Sequence, residues 1–138
     1  MLKLSRNKAQ TKALEIVYAL LTYKSIDVAI DVEHLLSGIV EAPLSEVPIF
    51  LKAVALYTVK HAHDVEVLLT PHLTDWTWER LNRLTQSILT LAVVHKLYVD
   101  TNVPKAVVIN IAIKQAKLYL DDGDHKFINA ILDEVLPS

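Results

Sequence analysis

Apolar residues recur at helical spacing along most of the chain. Near the amino terminus four of them repeat every three or four positions and share one helical face: Ala9, Ala13, Ile16 and Leu20. Ser5 precedes this stretch, and its hydroxyl is suited to accept a hydrogen bond from a free backbone N–H of the first turn. The pattern predicts a first helix that starts after Ser5 and runs to about Tyr23.

Prolines set the limits of the next two predicted helices. We expect a second helix over residues 25–40 and a third over residues 47–69, with a connection fixed by Pro43. Pro48 is tolerated in the first turn of the third helix, because the N–H groups there have no partner within the helix. Pro71 cannot continue the helix and is expected to end it.

The second half of the chain shows the same periodicity. Residues 74–83 are predicted to form a short helical connector, and an apolar stripe over residues 84–95 indicates the next helix. Pro104 is suited to the first position of a helix that reaches about Leu120. Gly123 can supply the left-handed residue that ends it, and Asp124 can cap a last helix.

Strands are not expected, because no stretch sustains the alternation of a half-buried strand and only 2 glycines occur. The sequence therefore predicts an all-α fold of six or seven helices in one domain over residues 1–138. Its 138 residues are 52% hydrophobic and 22% charged, which is enough apolar material for one core and excludes a disordered chain.

Composition also narrows the location and chemistry. No apolar run approaches the roughly 20 residues that span a bilayer, and the first ten residues lack the apolar segment of a secretory signal. The chain has 0 cysteines, which excludes disulfides and thiolate chemistry. No glycine-rich phosphate loop and no GxSxG motif occurs, so we expect neither an enzyme nor a cofactor.

The histidines and the aspartates have ordinary structural explanations. His61 and His63 are two residues apart, which directs their rings to opposite sides of a helix. His95 lies on an apolar stripe without a second ligand one turn away, so we expect a hydrogen-bonded core histidine. Three aspartates near the last helix junction lack the spacing of an EF-hand loop and are expected to cap helices: Asp121, Asp122 and Asp124.

Basic residues concentrate near the amino terminus although the net charge is only -2. Four cations fall within the first twelve residues: Lys3, Arg6, Lys8 and Lys12. A short arm followed by one helical face can follow several phosphates of a single nucleic-acid strand. The same cluster is also compatible with an ordinary solvated face, and the residues alone do not decide between the two.

The carboxyl-terminal third resembles the NusB family of transcription antitermination factors. The resemblance covers nearly every position of the last two predicted helices and rests on an ordered set of motifs: Val103-Pro104, Val108-Ile109-Asn110, Ala116-Lys117, Lys126-Phe127-Ile128-Asn129 and Ile131-Leu132-Asp133. Trp76, Glu79, Arg80 and Leu81 resemble the family's connector, and Tyr18 stands where its first helix carries a tyrosine. Residues 25–62 show little resemblance.

The resemblance implies two helical sub-bundles in one domain and a cytoplasmic function without catalysis or cofactor. NusB-like proteins bind the boxA element of ribosomal RNA leaders together with NusE, a small-subunit ribosomal protein, and help RNA polymerase to read through terminators. By position, Arg6 and Lys8 fall in the family's basic arm, and Lys126 and Phe127 begin the last helix on the RNA side. His72 stands where some members place a tyrosine near the RNA.

Two of these assignments have structural alternatives. The ring of Phe127 is suited to stack on a base, but its spacing to Ile131 also places it near the buried stripe of the last helix. His72 is equally compatible with a loop histidine that has no RNA contact. Both alternatives remain open at this point.

The sequence also departs from the family pattern. Asn7 and Gln10 replace arginines of the arm, which removes bidentate phosphate donors and predicts weaker RNA binding. The alternative function is therefore a helical protein-interaction adaptor that has kept the fold but lost specific RNA binding. At three further positions the chain lacks the charged residues of the family pattern: Thr90, His95 and Ile111. We therefore expect that a buried polar network of the family has been replaced by apolar packing.

One further alternative concerns a related domain. Ala130 replaces a family glycine and gives a motif that resembles the NusB-like domain fused to ribosomal RNA cytosine methyltransferases. Asp133 favours the free-standing factor, and the chain of 138 residues has no room for a methyltransferase domain.

Overall fold

The computed structural model describes residues 2–138, and within this range the chain forms six α-helices and no β-strand. The helices are α1 Arg6–Ser25, α2 Val32–Val40, α3 Ile49–Leu69, α4 Arg83–Val94, α5 Lys105–Tyr119 and α6 Asp124–Val135. Short 3-10 turns occupy Leu44–Glu46, Thr70–His72 and Trp78–Arg80, and a π-helical turn at His95–Val99 extends α4. The prediction of an all-α fold is confirmed.

Helix α4 lies at the centre of the molecule. All of its residues from Thr85 to Val94 are buried, so the helix has no face left for solvent. It packs against four helices: α1 and α3, which precede it in the chain, and α5 and α6, which follow it. The helices α1 to α3 form one group and the α5/α6 pair forms a second, and both groups use α4 as their common wall.

Several helix ends follow the predicted capping rules. The N–H of Lys8 donates to Ser5 Oγ at 3.2 Å, so Ser5 caps α1. Pro48 immediately precedes α3 and Pro104 immediately precedes α5. Their fixed φ suits an entry position, and their missing N–H costs nothing there.

The predicted start of the second helix is wrong. Helix α2 begins at Val32 rather than at Ser25, and residues 26–31 form a loop. Asp27 adopts a left-handed conformation with φ 54°, which ends the helical path after α1. Asp31 then caps α2, because its carboxylate accepts a hydrogen bond from the N–H of His34 at 3.1 Å.

The predicted cap of the last helix is also wrong. Gly123 has φ 94°, as expected for a left-handed residue, but it stands directly before α6, and α5 has already ended at Tyr119. The carboxylate of Asp124 accepts from the N–H of Asp121 at 3.1 Å. It therefore closes the turn between the two helices and does not cap α6.

The polar positions of the core agree only in part with the predictions. His95 is buried, and its ring meets Phe50 edge-on with centroids 5.1 Å apart, but no hydrogen bond to the ring occurs within residues 2–138. Burial lowers the pKa of His95, and the nearby Asp100 carboxylate opposes that shift. The Thr90 hydroxyl is buried without a partner among the same residues, so the exchange for apolar packing is incomplete.

Candidate nucleic-acid interface

A cleft of about 460 Å³ separates the amino-terminal half of α1 from the carboxyl-terminal half of α5. The two helices both rest on α4 and face each other across this opening. The walls consist of four residues from α1 and six from α5: Arg6, Asn7, Gln10 and Thr11, and Ile111, Lys114, Gln115, Lys117, Leu118 and Tyr119. Three of these residues are cations and none is acidic. We call this feature the α1/α5 cleft.

The cleft is polar at its inner end. The side chain of Gln115 is 6% exposed, and its Nε2 donates to the backbone oxygen of Gln10 at 3.3 Å, which joins the two walls. The Oε1 atom of Gln10 is buried and has no hydrogen-bond partner within residues 2–138. Lys114 and Lys117 are exposed and lie three residues apart, so they occupy neighbouring positions on the outer side of α5.

An apolar groove of about 350 Å³ continues from the cleft along α1. Tyr18 and Tyr119 border it with 41% and 45% of their surface exposed, and Leu84 at the start of α4 also lines it. Exposed tyrosines around an apolar depression are typical of protein-binding surfaces. We call these three residues the tyrosine groove.

The structure distributes the predicted basic cluster over one end of the molecule. Arg6 lines the α1/α5 cleft, and Lys3 and Lys8 are exposed. The Nζ of Lys12 lies 3.6 Å from Glu15 Oε2, so its charge is partly matched within α1. The N–H of Leu2 donates to the backbone oxygen of Glu46 at 2.9 Å, which fixes the arm just before Lys3.

The other predicted RNA-side residues lie at two ends of α6. Lys126 is exposed in its first turn, and the ring of Phe127 is half-buried against the core. His72 meets the opposite end, where its Nδ1 lies 2.8 Å from Glu134 Oε2. Lys126 and Glu134 are eight positions apart in α6, or about 12 Å along the axis. The structure therefore does not place His72 beside Lys126 and Phe127.

Lys114, Gln115 and Lys117 were not predicted to belong to a site. The spacing of the two lysines on one side of a helix was the available signal. The sequence did not show that this side of α5 faces α1, because that depends on how both helices pack on α4.

Neither metal chemistry nor a membrane span finds support in the part of the chain that is described. Across residues 2–138 no three His, Asp or Glu side chains come together to hold a metal ion. His61 stacks on Tyr98 with ring centroids 3.8 Å apart and contacts Asp64 at 2.9 Å. None of the helices described for these residues is long and apolar enough to cross a bilayer.

Within residues 2–138, five helices in two groups around the central helix α4 define the class of fold, and similarity to known proteins identifies the family. The family model described as the NusB family matches residues 7–137. The transcription antitermination protein NusB of Macrococcus caseolyticus is 32% identical over 133 residues, covering 96% of this chain and 97% of its own length. The protein of the same name from Listeria innocua is 30% identical over 135 residues, covering 97% and 98%. The chain belongs to the NusB family.

A solved structure supports the fold independently. T. maritima NusB superposes with a TM-score of 0.75 at 21% identity, over 97% of this chain and 92% of that one. At this identity the similarity establishes the fold alone. The architecture that the resemblance implied is therefore confirmed.

Proposed function

We propose that this protein is a transcription antitermination factor that binds boxA-type single-stranded RNA of a ribosomal RNA leader together with a NusE-type small-subunit ribosomal protein. It acts in the cytoplasm as a single RNA-binding domain over residues 1–138, within the antitermination complex of RNA polymerase. No cofactor or catalytic step is required. The observation that carries the proposal is the α1/α5 cleft, whose walls hold three cations and no acid.

The cations of this region support binding to a flexible polyanion. Arg6 from α1 and Lys114 and Lys117 from α5 line the same opening. Lys3 before α1 and Lys8 in its first turn extend the charge. Each phosphate neutralised by such a group releases condensed counterions, which is the main source of sequence-independent affinity for nucleic acid. The net charge of -2 does not oppose this, because the field is local.

The remaining RNA-side assignments are part of the same proposal. Lys12 is a weaker candidate than Arg6, because Glu15 already shares its charge. Lys126 is exposed and available to a phosphate. Phe127 offers a half-buried ring at the start of α6 for a base, and His72, which already contacts Glu134, is expected to contribute little.

The test is fluorescence anisotropy of a labelled boxA-like RNA against a scrambled RNA, with and without the NusE-type protein, over a salt series. We expect selective binding that tightens with the partner. Three or four phosphate contacts predict a slope of roughly -2 to -3 in the plot of log affinity against log salt concentration. Arg6→Ala combined with Lys8→Ala is expected to weaken binding and to flatten that slope by roughly 1.4.

The matched control is Lys52→Ala combined with Lys60→Ala, which removes the same charge from α3. This variant is expected to bind as tightly as the unchanged protein. Absence of selective binding both with and without the partner would contradict the proposal. Equal losses of RNA affinity in the two double variants would show that Arg6 and Lys8 act only through non-specific charge.

The second candidate is a protein-interaction adaptor that has lost specific RNA binding. The tyrosine groove favours it, because Tyr18 and Tyr119 expose 41% and 45% of their surface beside an apolar depression. Asn7 and Gln10 in place of arginines point the same way. Binding of the NusE-type protein that Tyr18→Ala abolishes and that RNA leaves unchanged would establish the adaptor and replace the first proposal.

A further inference from the structure

The α1/α5 cleft contains more than charge. Three side-chain amides stand on its two walls: Asn7, Gln10 and Gln115. Phosphate binding needs only cations and N–H donors, whereas an amide offers a donor and an acceptor side by side. Paired donors and acceptors are what the edge of a nucleobase presents, and side-chain amides are common partners of base edges.

Gln10 is the amide with an unused acceptor. Its Oε1 is buried without a hydrogen-bond partner in the described chain, and an unpaired buried acceptor destabilises the state that contains it. The last torsion of a glutamine side chain is broad, so the amide can turn toward the opening. A ligand that brings an N–H donor into the cleft therefore relieves an existing cost as well as adding a contact.

The rim of the cleft offers surfaces for the flat face of a base. Leu118 and Tyr119 are 73% and 45% exposed at its carboxyl-terminal edge. Aromatic and apolar side chains in such positions stack on unpaired bases with little sequence preference. The volume of about 460 Å³ lies within the range of small-molecule sites, roughly 300–1,000 Å³, and admits one nucleotide.

We propose that the α1/α5 cleft binds one unstacked nucleobase that carries an exocyclic amino group. The amino group donates to Oε1 of Gln10, and the adjoining phosphates are held by Lys114 and Lys117. The inference rests on the proposed RNA-binding function and adds a position at which the single strand is read. It also gives the replacement of arginine by Gln10 a role in base selection.

The test compares labelled twelve-nucleotide oligo(C) and oligo(U) at pH 7.5 by fluorescence anisotropy, because the two bases are similar in size and cytosine has an amino group where uracil has a carbonyl oxygen, while N3 is an acceptor in cytosine and an N–H donor in uracil. We expect oligo(C) to bind roughly fivefold to tenfold more tightly. Gln10→Met keeps the length of the side chain, removes the acceptor, and is expected to reduce the preference to less than about twofold.

Lys114→Ala tests the phosphate contact separately. It is expected to weaken both oligonucleotides equally and to reduce the salt slope by about 0.7, because one phosphate contact is lost. Lys60→Ala on α3 is the control and is expected to change neither quantity. Both lysines are exposed, so neither variant depends on repacking the core.

The outcomes separate this inference from the function on which it rests. Selective binding of boxA-like RNA without a preference for oligo(C), or a preference that survives Gln10→Met in a folded protein, overturns the base site and leaves the RNA-binding function intact. Absence of any RNA binding, with or without the NusE-type protein, overturns both. Urea unfolding of Gln10→Met shows whether that variant is folded.

Discussion

The α1/α5 cleft and the carboxyl-terminal end of α6 both carry basic side chains, but only the first leaves them unopposed. In the cleft, Arg6, Lys114 and Lys117 stand among walls without an acid. At the end of α6, His72 lies 2.8 Å from Glu134 and Lys105 lies 3.3 Å from Asp133. The two regions differ in the availability of their basic groups more than in their number.

This difference bears on which region contributes to RNA affinity. A cation that already contacts a carboxylate must exchange that partner for a phosphate, so the net gain is small, and the remaining carboxylate repels the strand. A free cation releases counterions without such an exchange. We therefore expect the cleft to supply most of the affinity, although the family resemblance points to both regions.

Reversing the charge of the cleft is expected to give the largest effect. Lys114→Glu combined with Lys117→Glu should lower RNA affinity at least about a hundredfold in 0.1 M salt, because two phosphate contacts become repulsions. Anisotropy titration measures the loss. Lys52→Glu combined with Lys60→Glu changes the same charge on α3 and should cost less than about fivefold by long-range effects alone. Equal losses would show that only net charge matters.

The ring of Phe127 provides the next test, because its role decides whether the start of α6 is an RNA surface. Phe127→Ala should lower the free energy of unfolding by about 2 kcal/mol, since a half-buried ring leaves a smaller void than a fully buried one. Phe127→Leu should recover most of that stability, while loss of the stacking ring lowers RNA affinity by about fivefold or more. An affinity within about threefold of the unchanged protein in a stable Phe127→Leu variant would show that the ring serves only the core.

Changes at the opposite end of α6 should have small effects. His72→Ala is expected to alter RNA affinity by less than about fivefold, and Glu134→Gln to raise it by no more than that, because an exposed contact of this kind contributes at most about 1 kcal/mol. Both are measured by the same titration. A tenfold loss of RNA affinity in His72→Ala would show that the RNA binds at this end of α6, contrary to the expectation that the cleft supplies most of the affinity.

The pH dependence of stability separates the core from both regions. His95 lies in neither of them, and burial holds its pKa below the ordinary value of 6.5. The unfolded chain therefore binds a proton at His95 more tightly than the folded protein does. The contribution of neutral His95 to the free energy of unfolding is present above pH 6.5 and is lost as the pH falls below it. His95→Phe should show a smaller loss of stability between pH 7.5 and 5.5 in urea unfolding. An unchanged pH profile would contradict this.

The helices were largely predictable, because their signals are local. The cap at Ser5 and the prolines at Pro48 and Pro104 depend on a few neighbouring residues. The cap is as expected, and α3 and α5 start two and one residues later than predicted, at Ile49 and Lys105. The start of α2 was missed because the apolar residues of the loop at 26–31 imitate a helical stripe. The stronger signal was Asp31, whose carboxylate is well placed to cap the helix that follows.

The candidate site was less predictable than the fold. Arg6 was identified from its place in a basic arm, but Lys114, Gln115 and Lys117 gained their meaning only when α5 was placed opposite α1. Conversely, the pairing of His72 with Glu134 joins residues 62 positions apart. Contacts of this range depend on how several helices pack together, and no local pattern in one sequence reports them.

The buried central helix has a consequence for how the molecule loses its structure. Because α4 forms a wall of both helix groups, neither group can detach without exposing buried apolar residues of α4. The amide protons of residues 85–94 should therefore exchange with deuterium only through global unfolding, while the turn at 120–123 exchanges by local opening. A chain cut within α4 would leave two fragments, each without a complete apolar core. The two groups are thus expected to fold and unfold as one cooperative unit.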